Sequence, residues 1–287
     1  MSTMMDDFKK ELPHLIVLAI LVFILLFVVT KFKWVQCSQV PGDWCSIYCS
    51  VNGHSRVAII KGEGGFGSSD ELSRQITANR IYTYADSLPM EHLSYGVLKS
   101  YELVVVEGAK SIAPIQVNAL RDYASAGGSI LWIGDSGTYH YLTASDLQDA
   151  LNRNLTTPGY YEQVVKGINN TRGFGQTLQN ILQVNYLRTE EGENLTLRIV
   201  SKDHPITRGL FSEFQIPAKQ IAIINPNSAG SSILAYVYGT KNCTEKKPCP
   251  AIVANRYAAP IAYFAFPLEE GGSKSLITNT MDYLVTC

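Results

Sequence analysis

Ser129 to Tyr141 reads SILWIGDSGTYHY. An apolar run leads into Gly134-Asp135-Ser136-Gly137-Thr138. An unbroken apolar strand belongs in a parallel sheet covered on both faces. A sharp glycine-flanked turn at its end presents side chains where α/β sheets hold their ligands. The nucleophile elbow, G-x-S-x-G, uses that geometry, and here the match runs to Ser136 and then departs, with Gly137 early and Thr138 in the fifth place. Ser136 is either a nucleophile or a turn residue, and the rest of the chain must supply its partners.

Outward from this stretch, strands and helices alternate. Arg56–Gly62, Ile81–Asp86 and Tyr101–Ala109 read as strands, and APIQVNALRDYASAGG as a helix with Pro114 near its first turn and Gly127-Gly128 at its end. SSDELSRQITANR and MEHLSYGVLKS read as the other helices between strands. Alternation of this kind predicts a flavodoxin-like doubly wound α/β sheet with right-handed crossovers. Residues 139–183 are polar and read as an irregular insertion with helical stretches. Beyond them VNYLRT, NLTLRIV, KQIAIIN, SSILAYVY, AIVANRY and PIAYFAFPL read as late β-strands that extend or flank the same sheet, and SLITNTMDYLV as a closing helix.

The N-terminus has a different character. Leu15 to Val29 is uninterrupted apolar sequence, about 22 Å as a helix. Extended over residues 12–35 it reaches about 36 Å, with Lys31 and Lys33 drawn to the interface and Trp34 beside them. That crosses a hydrocarbon core of about 30 Å. Asp6, Asp7 and Glu11 precede the run and no small-x-small cleavage site follows it, which favours an anchor over a cleaved signal peptide. The expected organisation is a cytoplasmic tail at 1–11, a transmembrane anchor at 12–35, a cysteine-containing stalk at 36–55 and the α/β domain at 56–287.

Flanking lysines are balanced and do not orient the anchor. Cysteines and sequons do. All six cysteines, Cys37, Cys45, Cys49, Cys243, Cys249 and Cys287, follow the apolar run, as an oxidising compartment allows. So do four N-glycosylation sequons, at Asn154, Asn169, Asn194 and Asn242. The domain is therefore expected outside the cytoplasm or in a lumen, as an N-glycosylated single-pass protein. Cys243 and Cys249 flank TEKKP between two strand-like runs and are expected to be bonded, and the other four cysteines allow three pairings. Neither CxxC nor HxxxH spacing occurs, so no metal is expected. A formal charge of −1 without a basic cluster argues against a nucleic-acid partner.

Two other motifs compete with the elbow. GEGGFG, Gly62 to Gly67, fits G-x-G-x-x-G between a strand and a helix, with Asp86 placed to hold a ribose hydroxyl. Ser68-Ser69-Asp70-Glu71 then occupies the positions where close helix packing needs small apolar residues, so nucleotide binding is an alternative and no cofactor is expected. KDHPITRGL supplies His204, and His140 lies four residues past Ser136. Either would be the base of a Ser136-dependent hydrolase or amidase, the other alternative.

YELVVVEGA, LRDYASAGGSILWIGDSG, DHPITRGL and AYFAFPLEEGGSKSLITNTMDYL, taken in order, resemble the class I glutamine amidotransferase-like superfamily over residues 56–285. The resemblance implies a flavodoxin-like fold with a catalytic cysteine in the elbow and a His-Pro-Glu after a late strand. Ser136 stands at the cysteine position and Phe266-Pro267-Leu268-Glu269 where His-Pro-Glu would be, so the histidine is missing. The run from Tyr101 to Gly137 resembles the degenerate domain in a membrane-anchored lumenal subunit of oligosaccharyltransferase. What this implies is a non-catalytic scaffold or binding domain with a protein partner or a glycan, its ligand crevice lined by Glu63, Glu107, Asp135 and Ser136, and the bilayer engaged through 12–35.

Overall fold

The computed structural model describes residues 2–31, 35, 40–53, 55–79, 83–140, 170–171, 173–227 and 229–285, with the side chains at 2–12, 45–46, 140 and 170–171 outside that description. The chain divides into two compact units, an N-terminal one ending at His54 and a second one, Ser55–Val285.

The N-terminal unit holds two helices. Helix α1 is Ser2–Lys31, within which Pro13–Lys31 is long and apolar enough to cross a membrane. It differs from the expected 12–35 at both ends. The sequence before the apolar run is rich in Met, Lys and Glu, which continue a helix readily, and Val35 lies in a bend beyond its end. The expected stalk also contains structure: α2, Trp44–Asn52, packs Trp44, Tyr48 and Cys49 against Leu26, Phe27 and Val40.

The second unit is built on one large sheet. Its strands are β1 (Ser55–Lys61), β2 (Thr83–Pro89), β3 (Leu103–Val106), β5 (Ser129–Ile133), β8 (Val184–Ile199), β9 (Glu213–Gln215), β10 (Gln220–Pro226), β11 (Ser231–Thr240), β12 (Cys249–Arg256) and β13 (Pro260–Phe264). The order is β10-β8-β11-β12-β13-β5-β3-β1-β2, with β9 against β8. Strands β2, β1, β3, β5 and β13 pair in parallel, the flavodoxin-like arrangement, and β12, β11, β8 and β10 continue it antiparallel. The late strands thus extend the first sheet. A small second sheet joins β4 (Ser111–Ile112), β6 (Tyr139–His140) and β7 (Asn170–Thr171).

Strand periodicity sorts the parallel core onto two faces. Val57, Ile59, Leu103, Val105, Leu131 and Ile133 meet α3 (Ser69–Asn79) and α7 (Lys274–Leu284) through Leu72, Ile76, Leu276 and Met281. Ala58, Ile60, Val104, Val106, Ile130 and Trp132 face the other way, toward α4 (Tyr95–Leu98), α5 (Pro114–Ser125) and α6 (Gly175–Leu182). Burial on both faces explains why these strands read as continuous apolar runs. Helix α6 is a helical stretch within the expected insertion, and it joins the core: Phe174, Leu178, Ile181 and Leu182 are buried, and Phe174 packs edge-on against Trp132. VNYLRT and NLTLRIV, read as two strands, are one, β8, which pairs with β10 up to Glu191 and with β11 from Gly192.

The Cys243–Cys249 disulfide is formed, S–S 2.05 Å, at the tip between β11 and β12. Cys49 is also disulfide-bonded, and no described cysteine is free. Cys37, Cys287 and the Cys45 side chain lie outside the described residues, as do Asn154 and Asn169. Asn194 and Asn242 are exposed. One N-terminal apolar helix and a disulfide fit a single-pass membrane protein with its domain on an oxidising side.

Candidate functional site

The elbow forms as a tight turn at the end of β5. Gly134 and Gly137 take positive φ, +64° and +70°, and a Cβ at Gly134 would lie 2.2 Å from the Phe66 ring. The turn is held from all sides. The Gly134 N–H donates to Phe264 O (2.8 Å), the Tyr263 hydroxyl donates to Gly134 O (2.7 Å) and the Trp132 indole N–H donates to Ser136 O (2.8 Å). Ser136 is 0 % exposed and its hydroxyl has no hydrogen-bond partner. A nucleophile must meet a base and be reachable; this hydroxyl meets no base among the described residues and is closed off from solvent. Phe266, at the position of the superfamily's histidine, is itself core.

The two histidines proposed as bases stand differently. His204 lies between β8 and β9, its ring 4.8 Å from that of Tyr283 in the last turn of α7. That helix starts after β13 and runs back along the sheet, so His204 is at the end opposite the elbow. Its Nδ1 accepts the Ile206 N–H (3.3 Å), and burial lowers its pKa to about 4. His204 is a structural residue and not a partner of Ser136. The His140 backbone pairs with Ile112 and Asn170, and its side chain lies outside the described residues.

Glycines of GEGGFG serve backbone packing. A Cβ at Gly62 would lie 2.6 Å from Ala109 Cα, and one at Gly65 2.7 Å from the Gly108 carbonyl carbon. The Gly65 N–H donates to Gly108 O and the Lys110 N–H to Glu63 O, 3.2 Å each. The loops after β1 and β3 thus close on each other at the switch point where this strand order usually binds its ligand. Next to the first turn of α3, the Ser68 N–H donates to Glu269 Oε1 (2.6 Å), so a protein carboxylate takes the anion's place. Asp86 is in mid-strand, bonded to Arg56 (2.7 Å), not at a strand end. The nucleotide reading loses both of its anchors.

Of the four expected crevice residues, Glu63 is exposed while Glu107, Asp135 and Ser136 are buried. Asp135 is paired: Lys110 Nζ is 2.8 Å from Oδ2, and the Phe66 N–H donates to Oδ1 (3.2 Å). Glu107 is not, and neither of its oxygens meets a donor. It faces Glu269. Burial first, then the neighbouring Glu269 and Glu270 charges push the Glu107 carboxyl well above its ordinary range. It lies behind Gly67, whose Cβ would fall 2.8 Å from Glu107 Oε1.

An open cleft of about 1490 Å³ lies beside this closed crevice. One wall is Gly65–Gly67 with Pro267 and Glu270, and the other is the late-strand arm, including Glu191, Glu193, Asn194, Lys219 and Lys241. Sequence reading did not find this cleft, because its walls come from strands and loops far apart in the chain. The signal it did offer was EEGEN at 190–194, a polar run inside a strand pattern.

No protein-family model and no curated protein sequence matches the chain. Among solved structures, a β-galactosidase from Rahnella sp. R3 aligns with TM-score 0.57 at 14% identity, over 83% of this chain and 33% of its own length. The chain therefore spans about a third of that enzyme. A ThuA-like protein from Bacteroides uniformis aligns with TM-score 0.54 at 14% identity, over 81% of this chain and 92% of its own. A GMP synthase component from Thermoplasma acidophilum aligns at 0.51 and 11%, over 82% and 94%. Identities this low speak for the fold alone, and the fold they share with this chain is that of the class I glutamine amidotransferase-like proteins.

Proposed function

We propose that the chain is a single-pass membrane protein that holds a glutamine amidotransferase-like unit outside the cytoplasm and uses it as a binding or scaffold component of a membrane complex, of the kind the lumenal oligosaccharyltransferase domain represents. The observation that carries the non-catalytic part is the elbow. Its serine is fully buried with no partner for the hydroxyl among the described residues, and a core phenylalanine stands at the base position. The binding face in this reading is the lateral cleft, where carboxylates, amines and amides are open to solvent. Support for the topology is the apolar helix, with every cysteine and sequon following it.

A fluorophosphonate probe tests the first part. The full chain in detergent is expected to remain unlabelled, and labelling that disappears in Ser136→Ala would replace the scaffold with a hydrolase. Protease added to intact cells tests the second: loss of the Ser55–Val285 unit is expected, and its protection would reverse the topology.

A further inference from the structure

Helix α2 is nine residues, WCSIYCSVN, without a charge. Trp44, Tyr48 and Cys49 are buried on α1. Ile47 and Val51, one helical turn apart on another face, are 46 % and 66 % exposed. An apolar, solvent-facing pair on a short uncharged helix is unfavourable in water, and the neighbouring surface has the same character. From Leu15 to Leu25 the large side chains of α1 are exposed as well.

The contacts fix where α2 lies along α1. Trp44 packs on Phe23 (5.3 Å between centroids), Tyr48 on Phe27 (4.9 Å), and Lys31 Nζ donates to Asn52 Oδ1 (3.4 Å). Positions 44, 48 and 52 thus meet 23, 27 and 31 in step, so the helices run in the same direction. Eight residues separate Phe23 from Lys31, about 12 Å of helix. The chain leaves α1 at Lys31, returns, and starts α2 beside a part of α1 that belongs to the apolar span. Polar side chains along this contact turn inward. The Trp44 indole N–H donates to Thr30 Oγ1 (3.0 Å) and Thr30 Oγ1 donates to Leu26 O (2.7 Å). Hydrocarbon demands such closure and water does not.

We infer that α2 is a second membrane element, lying along the half of α1 between Phe23 and Lys31, with Trp44 and Tyr48 packed on α1 and Ile47 and Val51 toward lipid. This rests on the reading of α1 as an anchor. The partner is the lipid surface itself, because the apolar face of α2 is continuous with the lipid-facing surface of α1 and carries no charge to recognise a protein.

Depth measurement by electron paramagnetic resonance tests it. Nitroxide labels are placed one at a time at Ile47→Cys, Val51→Cys, Leu21→Cys and Phe211→Cys in the full chain, reconstituted in phosphatidylcholine nanodiscs. Collision with oxygen is compared with collision with a water-soluble nickel chelate. Labels at 47 and 51 are expected to favour oxygen several-fold more than the label at 211, and less than the one at 21. If 21 reads the bilayer interior while 47 and 51 match 211, the inference is overturned and the anchor stands. If 21 also matches 211, the anchor fails and this inference with it. All labelled positions are exposed, and non-reducing peptide mapping of the Cys243–Cys249 bond confirms that each variant has folded.

Discussion

Asp135 and Glu107 stand past the ends of neighbouring strands, β5 and β3, and both side chains are buried, yet they have opposite surroundings. Asp135 meets a lysine and a backbone N–H. Glu107 meets another carboxyl. A buried carboxyl given donors can keep its charge; one given only another acid has its protonated form favoured. The first ties the elbow to the loop after β3, through Lys110, and to the glycine loop, through Phe66. The second lies beside the contact by which the Ser68 N–H, donated to Glu269, closes the same glycine loop against the turn after β13. The difference separates a charge used as a brace from a charge avoided.

Removing the brace should have the largest effect. Asp135→Ala leaves Lys110, 22 % exposed at its side chain, without its partner, and breaking a buried pair from one side costs about 3–5 kcal/mol. Thermal unfolding of the full chain in detergent should show a loss of roughly 6–20 °C for a unit of this size. A loss below about 2 kcal/mol would mean that the pair is solvated and the comparison void.

Separating the two loops comes next. Gly65→Ala sets a Cβ against the Gly108 backbone, which cannot yield as a side chain could. A destabilisation of about 1–3 kcal/mol is expected. Phe66, which contacts the elbow through that loop, should become more accessible to hydrogen exchange at its amide. An unchanged melting curve would show that the switch-point crevice can open freely.

Glu107→Gln probes the proton. The Glu107 carboxyl is raised in the folded chain, so its contribution is fully present below the ordinary value of 4.5 and is lost as pH rises through the folded value. Gln keeps a donor for Glu269 and never ionises. The variant is expected to melt with the wild type at pH 4 and above it at pH 8. Parallel curves at both pH values would place the proton elsewhere.

The smallest effect belongs to Ser136→Ala. Its hydroxyl has no partner, so the change should stay within about 1 kcal/mol. A larger loss would reveal a bond that the folded turn depends on.

Much of the sheet was legible because strands buried on both faces declare themselves as apolar runs; LVVV and SILWI are wholly buried strands. Helix α6 was legible only as one of the helical stretches of a polar insertion, without bounds or a place in the core, because polar sequence precedes it, although Leu178, Ile181 and Leu182 carry the helical spacing. Strand β8 was divided because its exposed middle, Glu190 to Glu193, lies where it changes partners, and Gly192 there approaches Gly239 O too closely for any side chain. The site was the least legible part. Glu107 was named as a crevice residue, but its partner could not be, since Glu269 joins the glycine loop across 201 positions of sequence. Long-range pairing of this kind leaves no local pattern.

The two outer strands of the large sheet have a consequence for how the molecule meets others. Strand β2 ends at Pro89 and holds the charged Asp86, and β10 ends at Pro226 while its Ala222 N–H is already given to Ala265 O (2.7 Å). Proline offers no amide, and a charge along a rim discourages pairing. Both rims thus carry stops against the addition of a foreign strand. That guards against growth into ribbons and leaves side-chain recognition, not backbone zippering, as the way to meet these rims.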